Sequence, residues 1–287
     1  MSTLTIFTPT YNRVKFLPKC YESLLGQTSR DFIWQIVDDG STDGTEALIQ
    51  AYIAEGKLAI DYCWQENGGK ASAINRSLEK TDTPFWLCLD SDDFLFPTAV
   101  EQILAECERI RNDEKVAGVF AVRSDINGLP MTGKDVPEEV VYATQLDIRY
   151  RYCVEPEYAQ VYKTGIISQY RFPQYPEERF MTESWMQDQI DQRYQFRIMH
   201  GAVMACEYLP DGYTNNYYRL IRRNPRGFLD FYAQRVELCR IFKPRLTAAI
   251  MYNAVFASLG DRRLKRKKHW LIALTWLPGK MMKRKLG

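Results

Sequence analysis

The sequence predicts an α/β protein with a mainly parallel, doubly wound sheet, on three observations. The first 125 residues alternate between short apolar runs and longer amphipathic segments, the rhythm of βαβα units. Two acidic clusters, Val37-Asp38-Asp39-Gly40-Ser41 and Leu89-Asp90-Ser91-Asp92-Asp93, each begin where an apolar run stops. In open parallel sheets, ligands bind beyond the carboxyl ends of the strands, so acids at those positions read as a site. Finally, 287 residues with 46% hydrophobic and 26% charged side chains suffice for a large buried core.

Strands are expected at Leu4–Thr8, Phe32–Val37, Leu58–Trp64, Phe85–Leu89 and Val116–Val122. Helical periodicity fills the intervals at Val14–Leu25, Thr42–Ala54, Lys70–Glu79 and Pro97–Asn112. Asp43 followed by Glu46 resembles a capping box at the second of these. From about Asp125 to Gly212 periodicity weakens among aromatics and prolines, predicting short strands and one helix near Glu183–Tyr194. Helices return at Phe228–Phe242 and Leu246–Leu259, with Pro244 expected to break or kink them. In Arg262–Leu286 an apolar segment lies between two basic clusters, and Pro278-Gly279 is expected to end any helix there.

The net charge of +2 is unevenly spread. Asp261 to Gly287 holds ten Lys or Arg against one Asp, leaving the rest of the chain mildly acidic. Seven scattered cysteines without a CxxC pair argue against a disulfide framework or a zinc site, and two histidines exclude a histidine-rich metal site. No secretory signal and no apolar run of spanning length are visible, so the expected location is cytoplasmic, peripheral on the inner face of the plasma membrane.

Asp90-Ser91-Asp92 brings two carboxylates within reach of one hard divalent ion, such as Mg²⁺ or Mn²⁺, that shares its shell with phosphates. The ordinary alternative is a solvated acidic loop. The apolar run Phe85–Leu89 weighs against it by fixing the acids to a buried strand end. Asp38-Asp39 offers acceptors for a base N–H or a ribose hydroxyl, or else simply caps a helix start. Thr8-Pro9-Thr10-Tyr11-Asn12-Arg13 adds backbone groups, an aromatic face and a cation. Asn67-Gly68-Gly69-Lys70 opens a helix as an anion site. Neither GxxxxGK[ST] nor GxGxxG occurs, which disfavours a kinase or a dinucleotide oxidoreductase.

These four motifs, in this order and spacing, resemble the family 2 glycosyltransferases of bacterial polysaccharide assembly. Phe180–Trp185 and Glu207–Gly212 continue the match more weakly. The resemblance implies an inverting enzyme of GT-A fold, using a nucleotide sugar, commonly UDP-linked, with Mg²⁺ or Mn²⁺. It implies a GT-A domain over 1–215, with a nucleotide half (1–125) and an acceptor half (126–215), followed by a helical basic tail (216–287). Carried over by position, Thr8, Pro9, Tyr11 and Arg13 belong to the nucleotide-sugar site, with Pro9 and Tyr11 lining the base. Asp39 contacts uracil or ribose, and Lys70 faces the diphosphate. Asp90 contacts the ribose or sugar, Ser91 belongs to the nucleotide-sugar site, and Asp92 holds the metal together with Asp90. Glu183 is the best match for the general base that deprotonates an acceptor hydroxyl, with Asp188 as the alternative. The processive signature Gln-X-X-Arg-Trp is missing, which implies single-sugar addition to a glycan or lipid-linked acceptor.

The basic tail admits a nucleic-acid contact, a merely solvated helix, or attachment to an anionic membrane through 262–287. Trp270 and Trp276 between basic clusters favour the membrane, and no nucleic-acid motif accompanies them. Two rival functions are a GT-A-like nucleotidyltransferase and a non-catalytic nucleotide-sugar or membrane-binding module. The first expects an Arg-containing glycine-rich loop after the first strand, unlike Thr8–Arg13.

Overall fold

A computed structural model describes residues 2–131, 133–155, 157–206, 217–260 and 266–286. Glu207–Gly212 and residues 261–265 and 287 of the basic tail lie outside the described residues. The chain forms two compact units, one of Met1–Gly68, Ser72–Arg171 and Arg193–Glu207, the other of Gly69–Ala71, Phe172–Gln192 and Tyr208–Gly287.

The first unit contains β1 (Leu4–Thr10), α1 (Leu17–Leu25), β2 (Phe32–Asp38), α2 (Thr45–Glu55), β3 (Ile60–Trp64), most of α3 (Lys70–Lys80), β4 (Phe85–Cys88), β5 (Phe94–Leu95), α4 (Ala99–Ile110) and β6 (Val116–Ser124). It continues with β7 (Tyr142–Ala143), a π turn at Asp147–Arg151, β8 (Tyr158–Lys163), the single turn α5 (Thr164–Ile167) and, later in the chain, β9 (Gln195–Ala205). Among the described residues the sheet has nine strands in the order β3-β2-β1-β4-β8-β6-β9-β5, with β7 beside β9.

Strands β3, β2, β1 and β4 are mutually parallel. Their near-continuous apolar sequences fit burial on both faces. Alternation sends Trp34, Ile36, Phe85 and Leu87 to the face shared with Leu17, Leu24, Ile49 and Ile103 of α1, α2 and α4. Residues between them face the other way, where Ser77 of α3 bonds both Gln35 and Trp86. Beyond β4 the sheet is mixed: β8 runs antiparallel to β4 and β6, and β6 is parallel to β9. The run of contiguous parallel strands therefore comes from the first half of the chain.

The second unit contains α6 (Ser184–Ile190), α7 (Tyr217–Arg223), α8 (Pro225–Leu238), α9 (Phe242–Leu259), α10 (Trp270–Leu274) and α11 (Trp276–Lys283). Two expectations fail here, for one reason. Pro244 lies in the first turn of α9, and the break falls earlier, around Cys239–Ile241. Pro278 likewise lies in the first turn of α11, which runs on through Gly279. First-turn N–H groups have no partner within a helix, so proline costs little there. Gly279 is set by packing, since a Cβ there would come within 2.3 Å of the Asn253 Cβ on α9. Among the described residues no helix is long and apolar enough to cross a membrane.

Candidate active site

Strand order reverses between β1 and β4: the chain passes outward through β2 and β3, then returns to β1's other side. Such a reversal leaves a crevice beyond the strand ends. The segment after β1 bears Tyr11 and Arg13, and the segment after β4 bears Asp90-Ser91-Asp92. Tyr11 is half-exposed, and the Arg13 guanidinium lies over the Phe16 ring. Thr8 is fully buried, and its hydroxyl accepts a 2.9 Å bond from the Trp34 indole.

The loops after β1 and β2 are fastened together. Asn12, in the left-handed region at φ 52°, accepts from the Thr42 N–H (2.8 Å) and donates its own N–H to the Ser41 hydroxyl (2.9 Å). Asp43 accepts from the Val14 N–H at 3.0 Å and also from Thr45 at the start of α2. The expected capping residue is thus one position earlier than a regular N-cap, and it serves two loops.

Asp38 and Asp39 are both buried and do different things. The Asp38 carboxylate accepts from the Ser41 N–H (2.8 Å) and the Tyr62 hydroxyl (3.1 Å), which fixes the turn. Burial, then the Asp38 charge, pushes the Tyr62 phenol well above its usual range. Asp39 accepts on one oxygen from the Gly68 N–H (2.8 Å) and the Gln65 amide (2.7 Å), linking β2's end to the Asn67-Gly68 segment.

After β4 the chain turns, with the Asp93 N–H bonded to the Asp90 carbonyl at 3.0 Å. Asp93 is buried and paired with Arg123 of β6 at 2.6 Å. Burial pushes Asp93 up to about 6 against the pull of Arg123, and the Asp90 and Asp92 charges add to the rise. Asp90 and Asp92 are both partly exposed. Among the described residues no three acidic, cysteine or histidine side chains form a preformed metal cage. Two hard carboxylates two residues apart in one turn are the kind of donor an ion such as Mg²⁺ or Mn²⁺ takes, with its remaining ligands from phosphate and water.

In the second unit, Gly69 has φ 84°, and a Cβ there would fall 1.7 Å from the Arg179 carbonyl oxygen. Only glycine permits that approach. Next to it, Lys70 pairs with Glu183 at 2.7 Å. With Glu183 half-exposed, the pair is worth at most about 1 kcal/mol and chiefly fixes position. Asn224 accepts from the Arg179 and Phe180 N–H groups at 2.9 and 3.0 Å. Glu178 accepts from Arg226 and Gly227 at the start of α8, each at 2.8 Å. These anchors hold the segment leading to Glu183. Only Asn224-Pro225, a helix-start signal, hints at them in the sequence. Asp188 is 4% exposed, and both its oxygens are gripped by Arg235 at 2.7 Å.

The glycosyl transferase family 2 model matches residues 5–171. The chain is 37% identical over 124 residues to a chondroitin synthase of Escherichia coli, covering 43% of this chain and 18% of that protein. It is 38% identical over 101 residues to a teichoic acid poly(glycerol phosphate) polymerase of Staphylococcus epidermidis, covering 35% of this chain and 14% of that protein. It therefore spans less than a fifth of the length of these relatives. S. aureus TarS 1–349 in complex with UDP-GlcNAc shares the fold at TM-score 0.61 and 16% identity, over 99% of this chain and 92% of that one. The mannosyltransferase PcManGT of Pyrobaculum calidifontis, in complex with GDP-Man and Mn²⁺, does so at 0.58 and 18%, over 98% and 80%. With four motifs in register on a switch-point sheet and a family match over more than half its length, the chain belongs to glycosyl transferase family 2.

Proposed function

We propose that the chain is an inverting, metal-dependent glycosyltransferase that moves one sugar from a UDP-linked donor to a glycan or lipid-linked acceptor in cell-surface polysaccharide synthesis. The observation that carries this reading is the paired carboxylates Asp90 and Asp92, set by a turn at the end of β4 where the strand order reverses. The relatives' polysaccharide chemistry and the UDP-GlcNAc and Mn²⁺ complexes of the structural neighbours support it.

In this reading Tyr11 and Pro9 line the base, Arg13 contributes a cation, and Asp39 accepts from uracil or ribose. Asp90 and Ser91 contact the ribose or sugar, and Asp90 and Asp92 hold the divalent ion. When bound, that ion neutralises charge growing on the departing diphosphate. Glu183 takes the proton of the acceptor hydroxyl as its oxygen attacks the anomeric carbon and the bond to the diphosphate oxygen breaks. Lys70 holds the Glu183 carboxylate in place, which combines with its expected role toward the diphosphate. The ion pair with Arg235 makes Asp188 the poorer candidate for the base. The donor is assigned to 1–125 and the acceptor to 126–215. The basic segment 262–287 is assigned to an anionic membrane on the cytoplasmic side, where a lipid-linked acceptor would be met.

Sugar release from a panel of UDP-sugars, with and without Mn²⁺, tests the activity. Glu183→Gln is expected to keep UDP affinity in calorimetry while turnover falls at least about 100-fold. Near-normal turnover moves the base to another acid.

A further inference from the structure

We propose that Trp270, Leu274, Leu277 and Met281 form one apolar stripe that inserts into the surface of an anionic membrane. This rests on the membrane partner proposed above and names the face that makes the contact. The four side chains are 56, 71, 72 and 73% exposed. Their spacing of four, three and four residues is that of a single helical face. Thr275 ends α10 and begins α11, and bonds from the Thr275 N–H to Leu271 and from the Gly279 N–H to Thr275 carry the helical path across the junction.

The opposite face is already occupied. Leu271, Ile272 and Gly279 are buried, and Asn253 of α9 donates to the Ile272 carbonyl (2.7 Å) and to the Thr275 hydroxyl (3.0 Å). The helix pair is therefore clamped by its inner side, and its apolar outer side faces away from this packing. That is the reverse of what an ordinary surface helix exposes.

Charge identifies the occupant. Residues 266–286 contain seven Lys or Arg and no acid. Arg266 and Lys268 are exposed before the stripe, Lys280 within it, and Lys283, Arg284 and Lys285 after it. Arg266 and Lys280 also lie over the Trp276 ring, each at 4.9 Å. Apolar side chains ringed by cations match headgroups with acyl chains beneath them. A second copy of the same face would bring cations against cations, and Glu237, the acid beside the segment, is already engaged by Lys267 at 2.7 Å.

The experiment is co-sedimentation of the full chain with vesicles of phosphatidylcholine alone and of phosphatidylcholine mixed equally with phosphatidylglycerol. Wild type is expected on the mixed vesicles and only weakly on the neutral ones. Leu274→Glu with Leu277→Glu should weaken binding at least about tenfold by removing the inserting groups. Both positions are exposed, so the variant's melting and UDP-sugar hydrolysis should match wild type. Lys283→Ala should cost about fivefold.

Undiminished binding by the double variant overturns the stripe and leaves an electrostatic membrane partner standing. No binding by wild type to either vesicle overturns the stripe and the partner together, while sugar release reports on the transferase reading independently. Equal binding to both vesicle types overturns the charge argument. A concentration-dependent dimer in sedimentation, abolished by the double variant, assigns the stripe to a second copy and overturns the proposal.

Discussion

The strand ends of β2 and β4 carry similar acidic clusters that divide their work in opposite order. After β2 the leading acid is structural: Asp38 is committed to Ser41 and Tyr62, and Asp39 reaches on toward Gly68. After β4 the trailing acid is structural: Asp93 is buried against Arg123, and Asp90 and Asp92 remain partly exposed in the turn. The difference follows from where each strand finds its partner. β2 lies between β1 and β3, so the help arrives from Tyr62 on β3, which pairs with Ile36 two residues before the strand's end. Past β4, the cation comes from β6 and meets the chain several residues beyond the strand. Each acidic cluster thus contains an acid that holds its loop, and which position takes that task depends on the neighbouring strands.

Substitutions can break this division. The largest effect is expected for Asp92→Ala, which should abolish the Mn²⁺-dependent part of UDP affinity while leaving the melting midpoint near wild type. Unchanged calorimetric affinity with Mn²⁺ would falsify its place in the metal site. Asp93→Ala should act the other way round, destabilising the fold by about 2–3 kcal/mol in urea, because the largely buried Arg123 keeps only the more distant Glu157 carboxylate at 3.7 Å. A variant as stable as wild type would show that the pair is dispensable. Asp38→Asn should cost about 1–2 kcal/mol, the scale of one or two weakened buried hydrogen bonds. If it instead removed UDP binding with no change in stability, the two acids of that cluster would have exchanged roles.

A small effect outside both clusters serves as a control. His269 accepts from the Leu271 N–H at the start of α10, and burial, then Arg245, lowers its pKa. A base held lower when folded binds fewer protons than when unfolded. Its contribution is therefore intact above about 6.5, the unfolded value, and declines as pH falls below it. A slight drop in melting midpoint between neutral and mildly acidic buffer is expected, and His269→Asn should flatten it. An equal slope in that variant would assign the effect to other groups.

Most of the parallel half of the sheet was readable from apolar runs and the helices between them, because each βα unit is local. β9 was missed. Its sequence Gln195–Ala205 mixes polar groups with His200 and Gly201, and its pairing with β6 slips register near Ala121–Arg123, which blurs the alternation. The two prolines were misread because a proline's effect depends on which turn of a helix it enters. At the candidate site, residue types and strand-end positions point to the two acidic clusters, but not to the division of tasks within them. The separation of Asp38 from Asp39, and of Asp93 from Asp92, depends on Tyr62, Gly68 and Arg123, 24 to 30 residues away in the chain. The same holds for Lys70 and Glu183, whose ion pair no local pattern could signal.

The fastening of Asn12 to Ser41 and Thr42, and of Asp43 to Val14, bears on the thermodynamics of the nucleotide binding proposed above. Two loops ordered separately would each lose conformational freedom when a nucleotide settled between them. Joined in advance, they lost that freedom during folding, so the remaining ordering entropy on binding belongs largely to the ligand. Asn12→Gly removes the acceptor for Thr42 and loosens the tie, which the backbone bond to Ser41 and the Asp43–Val14 bond still hold; for the nucleotide site proposed above, calorimetry should show a slightly more unfavourable binding entropy.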